Sequence, residues 1–109
     1  MTVEREEVSP DGTRRYQKIS LEPTGDLTWY CHDLGPGPGF LMAGSREYEF
    51  ARTIRAAHLD TLARALGVAI ADLPARLDRD FRSDVELDVL ARAHDIPTEF
   101  WSWISSPDD

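Results

Sequence analysis

The segment Arg15-Tyr16-Gln17-Lys18-Ile19-Ser20-Leu21-Glu22-Pro23-Thr24-Gly25-Asp26-Leu27-Thr28-Trp29-Tyr30-Cys31-His32 reads as two strands around a tight turn. Gln17, Ile19 and Leu21 alternate with Tyr16, Lys18 and Ser20; Leu27, Trp29 and Cys31 alternate with Thr28, Tyr30 and His32. Successive strand side chains point to opposite faces, so each run carries two chemically different faces. Pro23 fixes φ and Gly25 supplies a positive φ, which makes Pro23-Thr24-Gly25-Asp26 a turn and the two runs antiparallel partners.

Downstream, Asp33-Leu34-Gly35-Pro36-Gly37-Pro38-Gly39 interrupts the alternation, and Phe40-Leu41-Met42 is a short apolar plug. Tyr48, Phe50, Arg52 and Ile54 then alternate with Glu47, Glu49, Ala51 and Thr53, a period of two that suggests a third strand. A helix starting at Ser45 competes, but its Tyr48, Ala51 and Arg55 stripe is a poorer one. From Ala56 the period changes. Leu59, Leu62, Ala63 and Leu66 mark a helical face that Gly67 closes. A second helix fits Asp72 to Phe81, with Pro74 in its first turn and Leu73, Leu77 and Phe81 aligned. Ser83-Asp84-Val85-Glu86 has the pattern of a capping box opening a third helix, with Val85, Val89, Leu90 and Ala93 expected inward. Ile96-Pro97 stops it, because a residue before proline avoids the α region. Glu99 to Ile104 has strand composition, with Trp101 and Trp103 on one face.

Upstream, residues 1–12 are charged and aperiodic, and Ser9-Pro10-Asp11-Gly12 is turn chemistry. A flexible tail or a short first strand is expected there, followed by one domain over residues 13–109. The expected order, β-β-β-α-α-α-β, gives an α+β fold: a small antiparallel sheet with helices packed on one face and the last strand returning at an edge.

The 109 residues carry a net charge of −8. Residues 1–55 hold nine acids and seven bases, whereas residues 56–109 hold eleven acids and five bases. Such a C-terminal half repels nucleic acid and steers basic proteins toward it. No apolar run approaches a membrane span, and the first residues lack the apolar centre of a signal peptide, so a cytoplasmic location is expected. The lone Cys31 has no disulfide partner within the chain.

No catalytic, cofactor or metal set emerges. Cys31-His32-Asp33 has the residue types of a thiol site, but neighbours on a strand face opposite ways. His32, His58 and His94 are scattered and lack i, i+4 pairing. Pro36 and Pro38 remove the backbone donors that a phosphate loop would need. A calcium loop started at Asp78 fails, with Ser83 where glycine belongs and Val89 at the closing acid. Glu47 and Glu49 are paired carboxylates whose acid–base use would require burial.

The chain resembles a family of small actinobacterial proteins with no established activity. The resemblance rests on Asp33-Leu34-Gly35-Pro36, on Ser45 with Glu47-Tyr48-Glu49-Phe50, and on Ile96-Pro97 with Glu99-Phe100-Trp101-Ser102-Trp103. It spans most of residues 16–104 and implies a bacterial cytoplasmic protein, with no site residue to carry over.

The leading expectation is a non-catalytic protein-interaction module, inhibitor-like or immunity-like toward a basic partner. Asp78, Asp80, Asp84 and Asp88 would steer that partner, and Trp101 or Trp103 would anchor it. The alternative is a small enzyme or ligand binder using the sheet around Trp29, Tyr30, His32 and Glu47. A patch of Arg52, Arg55 and Arg64 is the sole support for nucleic-acid binding. An open sheet edge could also form a homodimer. The deciding question is whether Trp101 and Trp103 look toward the helices or away.

Overall fold

The computed structural model describes residues 2–10, 12–35 and 47–104. Five strands form one antiparallel sheet in sequence order: β1 (Thr2–Val8), β2 (Arg14–Leu21), β3 (Leu27–Leu34), β4 (Glu47–Ile54) and β5 (Glu99–Ile104). Between β4 and β5 the chain makes three α-helices, α1 (Leu59–Leu66), α2 (Leu73–Asp80) and α3 (Asp84–Ala93), with short 3-10 turns before α1 and α2. The α+β architecture is the expected one, with one strand more. The competing helix from Ser45 is not formed over Glu47–Ile54; Ser45 itself, and the Gly-Pro run beyond Gly35, lie outside the described residues.

Residues 1–12 were expected as a tail or a short strand, and Thr2–Val8 is a strand paired along its length with β2. Arg5 explains why this charged segment is held. Its Nε donates to Asp78 Oδ1 at 2.9 Å, and its Nη2 donates to the Asp78 and Phe81 carbonyls at 3.1 and 3.0 Å. Those carbonyls belong to the end of α2, where a cation is favoured. The guanidinium also lies 5.6 Å from the ring centroid of Trp29. The tail reading fails because Arg5 supplies tertiary contacts that aperiodic composition does not reveal.

Hairpin geometry follows the turn residues. Gly25 has φ +91°, Glu22 N–H donates to the Asp26 carbonyl at 2.8 Å, and β2 meets β3 from Leu21↔Leu27 to Arg14↔Leu34. This register puts Ile19, Leu27, Trp29 and Ile54 on one face, all essentially inaccessible. Leu59 and Leu62 of α1, Leu73 and Leu77 of α2, and Leu87 and Ala91 of α3 complete the core there. Trp29, the largest side chain in it, donates its indole N–H to Gln17 Oε1 at 2.9 Å, so the buried polar atoms are matched.

The third helix is rotated from its expected face. Asp84, Leu87 and Ala91 point inward, while Val85 and Val89 are more than half exposed. The cause is a buried ionic cluster. Arg52 projects from the core face of β4, donates from Nε to Asp84 Oδ2 at 2.9 Å and lies 3.2 Å from Asp88 Oδ1. Bringing both carboxylates to one guanidinium turns the Val85/Val89 stripe to solvent. The capping box is also incomplete. Ser83 makes no side-chain cap, and Glu86 Oε2 accepts from Arg82 N–H at 2.9 Å.

Two helices end in the same way. Gly67 (φ +68°) follows α1, with Val68 N–H bonded to the Ala63 carbonyl and Gly67 N–H to that of Arg64. Asp95 (φ +56°) follows α3, with Ile96 N–H bonded to the Ala91 carbonyl and Asp95 N–H to that of Arg92. Both are Schellman ends. An aspartate in the left-handed region is tolerated but strained, and its charge sits at the negative end of a helix. Replacing Asp95 with Gly is therefore predicted to stabilise the fold by about 0.5–1 kcal/mol in chemical denaturation; a loss of stability would contradict this account of the α3 terminus.

Candidate functional site

The sheet has two dissimilar faces, and the β4–β5 register assigns the closing aromatics between them. Arg52 pairs with Phe100, Phe50 with Ser102 and Tyr48 with Ile104, which places Phe100, Ser102 and Ile104 on the helix side. Ala51 pairs with Trp101 and Glu49 with Trp103, so both tryptophans stand on the opposite, outer face. Trp101 is 51% and Trp103 41% exposed, whereas Trp29 is 0%. Among the described residues, the three helices all pack on the inner face.

Two rows cross the outer face. One runs Glu6–Tyr16–His32–Glu49–Trp103, and the next runs Glu4–Lys18–Tyr30–Ala51–Trp101. Tyr30 donates its hydroxyl to Glu49 Oε1 at 2.9 Å and meets Tyr16 edge-on at 6.2 Å between centroids. Burial, then the Glu49 carboxylate, pushes the Tyr30 phenol up to about 12. The Tyr16 phenol is also raised, first by burial and then by its bond to Glu4. Both phenols therefore stay neutral and can donate. His32 Nε2 lies 4.0 Å from Glu49 Oε1, beyond hydrogen-bond reach, and is a buried nitrogen without a partner. By register this face carries Glu4, Glu6, Glu47, Glu49 and Glu99 against Arg14 and Lys18, an acidic surround for the tryptophans. A cleft of about 280 Å³ beside Trp101 is lined by Ala51, Thr53, Arg55, Glu99 and Phe100.

The expected site residues do not form one site. Asp78, Asp80, Asp84 and Asp88 lie on or beside the helices, on the side of the sheet away from Trp101 and Trp103. Each is held by arginine: Asp78 by Arg5, Asp80 by Arg76 and Arg79, Asp84 by Arg52, and Asp88 by Arg52 and Arg92. Asp88 also accepts the Thr98 hydroxyl at 2.7 Å, the main reason its carboxyl is held below the usual range. Asp84 and Asp88 are almost buried counter-ions of Arg52, whereas Asp78 and Asp80 are part-exposed members of ion pairs. Sequence counting missed this because their partners lie on β1, β4 and the helices themselves.

The alternative grouping also divides. Trp29 lies in the core on one face, while His32 and Glu47 belong to the other. Cys31 and Asp33 point inward, with Sγ 3.7 Å from Asp33 Oδ1, and His32 points outward. Burial pushes the Cys31 thiol up to about 12, which keeps it protonated and inert. Asp33 is instead gripped by Arg15 through two bonds of 2.6 and 2.7 Å. The arginine patch is likewise neutralised. Arg52 serves Asp84, Arg55 serves Asp26 and Glu99, and Arg64 serves Asp60. Among the described residues, no group of three or more His, Cys, Asp or Glu side chains could hold a metal, and no helix is long and apolar enough to cross a membrane.

Substituting Trp101 and Trp103 by Phe should leave an emission dominated by Trp29, blue-shifted and resistant to acrylamide. The unsubstituted chain should be readily quenched. Equal quenching of the two chains would contradict the assignment of the tryptophans to opposite faces. No protein family, curated protein or solved structure matches the chain.

Proposed function

We propose that this protein is a non-catalytic interaction module whose partner, a protein with a basic surface, docks on the outer face of the sheet. The observation that carries the reading is the outward placement of Trp101 and Trp103 beside Glu49 and Glu99, while the core closes without them. Tryptophan gives a binding surface its largest contact area, and carboxylates around it favour a cationic partner and fast encounter. The reading keeps the tryptophan anchors of the sequence analysis and replaces the helix aspartates with the outer-face glutamates. An inhibitor-like or immunity-like role toward a basic protein is consistent with this surface.

A second reading, small-ligand binding, draws support from the unpartnered His32 Nε2 beside Glu49. A ligand bridging these groups would shift the His32 ring resonances in a screen of small polar compounds.

Affinity capture from a native lysate tests the leading reading when three baits are compared. The unsubstituted chain and a chain carrying Asp80→Asn should retain the same protein. A chain carrying Trp101→Ala and Trp103→Ala should lose it by at least roughly tenfold, the scale of a tryptophan hot spot. Equal capture by all three baits would remove the outer face as the docking surface.

A further inference from the structure

The two edges of the sheet are built differently. On β1, Glu4 and Glu6 face outward and Arg5 and Glu7 face the helix side, so charge guards both faces of that edge. Such charges keep an exposed edge from pairing with another chain. On β5, Glu99 is the sole charge, at the first position, and Arg55 engages it at 3.1 Å. The remainder, Phe100-Trp101-Ser102-Trp103-Ile104, is uncharged. Phe100, Trp101 and Trp103 are 52%, 51% and 41% exposed. Among the described residues, no strand pairs with this edge and no charge guards it beyond Glu99.

We propose that the β5 edge pairs with the β5 edge of a second copy of this chain, in an antiparallel two-fold register centred on Ser102. The sequence of the strand reads nearly the same in both directions, and an isologous contact requires that property of its surface. A two-fold axis perpendicular to the sheet keeps outer faces together, so residues meet face-matched partners. Centred on Ser102, it sets Trp101 against the second copy's Trp103 and Phe100 against its Ile104, with the small Ser102 meeting itself on the axis. In this register Glu99 meets neither tryptophan of the second copy. A register centred on Trp101 would instead place Glu99 against Trp103, and is disfavoured for that reason. The result is a continuous ten-stranded sheet whose outer face carries four tryptophans in one block, with Ala51 and Glu49 of each copy flanking them.

The inference concerns the edge and stands apart from the outer-face reading, although a dimer would double the tryptophan surface available to a partner. The pairing buries a few half-exposed aromatics, less than a standard interface, and each copy carries −8. Association is therefore weak, concentration-dependent and favoured by salt.

Sedimentation of the full chain over roughly 10 µM to 1 mM, the range in which an undersized interface associates, is the test. The mass should rise from 12.3 kDa toward twice that value. Ser102 is exposed, so Ser102→Lys and Ser102→Glu leave the monomer folded while bringing like charges together on the axis. Each variant alone should associate at least about tenfold more weakly, and an equimolar mixture should recover a heterodimer. A chain that stays monomeric throughout the range, leaving the edge to a foreign strand, overturns the proposal. So does a dimer that Ser102→Lys does not weaken, or a mixture no more associated than its components. Partner capture lost with Trp101→Ala and Trp103→Ala but kept with Ser102→Lys would uphold the outer-face reading even if the dimer failed.

Discussion

Arg52 is the constraint on which the arrangement depends. It rises from the core face of the fourth strand, where its cross-strand partners are Trp29 and Phe100. Its guanidinium is almost buried, and so are the Asp84 and Asp88 carboxylates it meets. Thr98 joins the cluster from the connection that leads into the last strand, accepting from Arg52 Nη1 at 3.3 Å while donating to Asp88. Phe100 lies against the guanidinium, 4.9 Å from CZ to the ring centroid. One cation thus ties β4, α3 and the start of β5 together. Leaving any member of such a cluster unpaired in a poorly solvated site would cost several kcal/mol. The rotation of α3, the exposure of Val85 and Val89, and the entry of β5 all follow from satisfying it.

The sidedness of the last strand has the same origin. With Phe100 drawn onto Arg52 on the inner face, Trp101 must face outward, and Trp103 follows two residues later. The arginines of the inner face hold three of the four helix aspartates: Arg5 holds Asp78, and Arg52 holds Asp84 and Asp88. By register the outer face carries Glu4, Glu6, Glu47, Glu49 and Glu99 around the tryptophans.

Local chemistry made much of this legible. Alternation gave the β2–β3 hairpin and the inward set of Ile19, Leu27, Trp29 and Cys31, and the turn residues gave its register. The C-terminal end of the first helix was readable from Gly67, whereas the third helix ends at Ala93, a little before the expected Ile96-Pro97 stop. What could not be read was long-range. The β3–β4 register, which brings His32 opposite Glu49, spans a connection whose length fixes no pairing. Leu90 packs against the core as expected, but the Val85 and Val89 side was misread, because nothing local announces that Asp84 and Asp88 share an almost buried arginine on β4. A charged first strand looked like a tail because its stabilising contacts come from Asp78 and Phe81, far along the chain.

A double-mutant cycle between Arg52→Met and Asp84→Leu, read by denaturant unfolding, tests the Arg52 constraint most directly. Arg52→Met strands the buried Asp84 carboxylate and should cost about 3–5 kcal/mol, whereas Asp84→Leu leaves Arg52 paired with Asp88 and should cost less. The pair together should cost clearly less than the sum, with a coupling of at least about 1 kcal/mol. Two small costs that add within about 0.5 kcal/mol would contradict the claim that this ion cluster orients the third helix and, through Phe100, the tryptophan face.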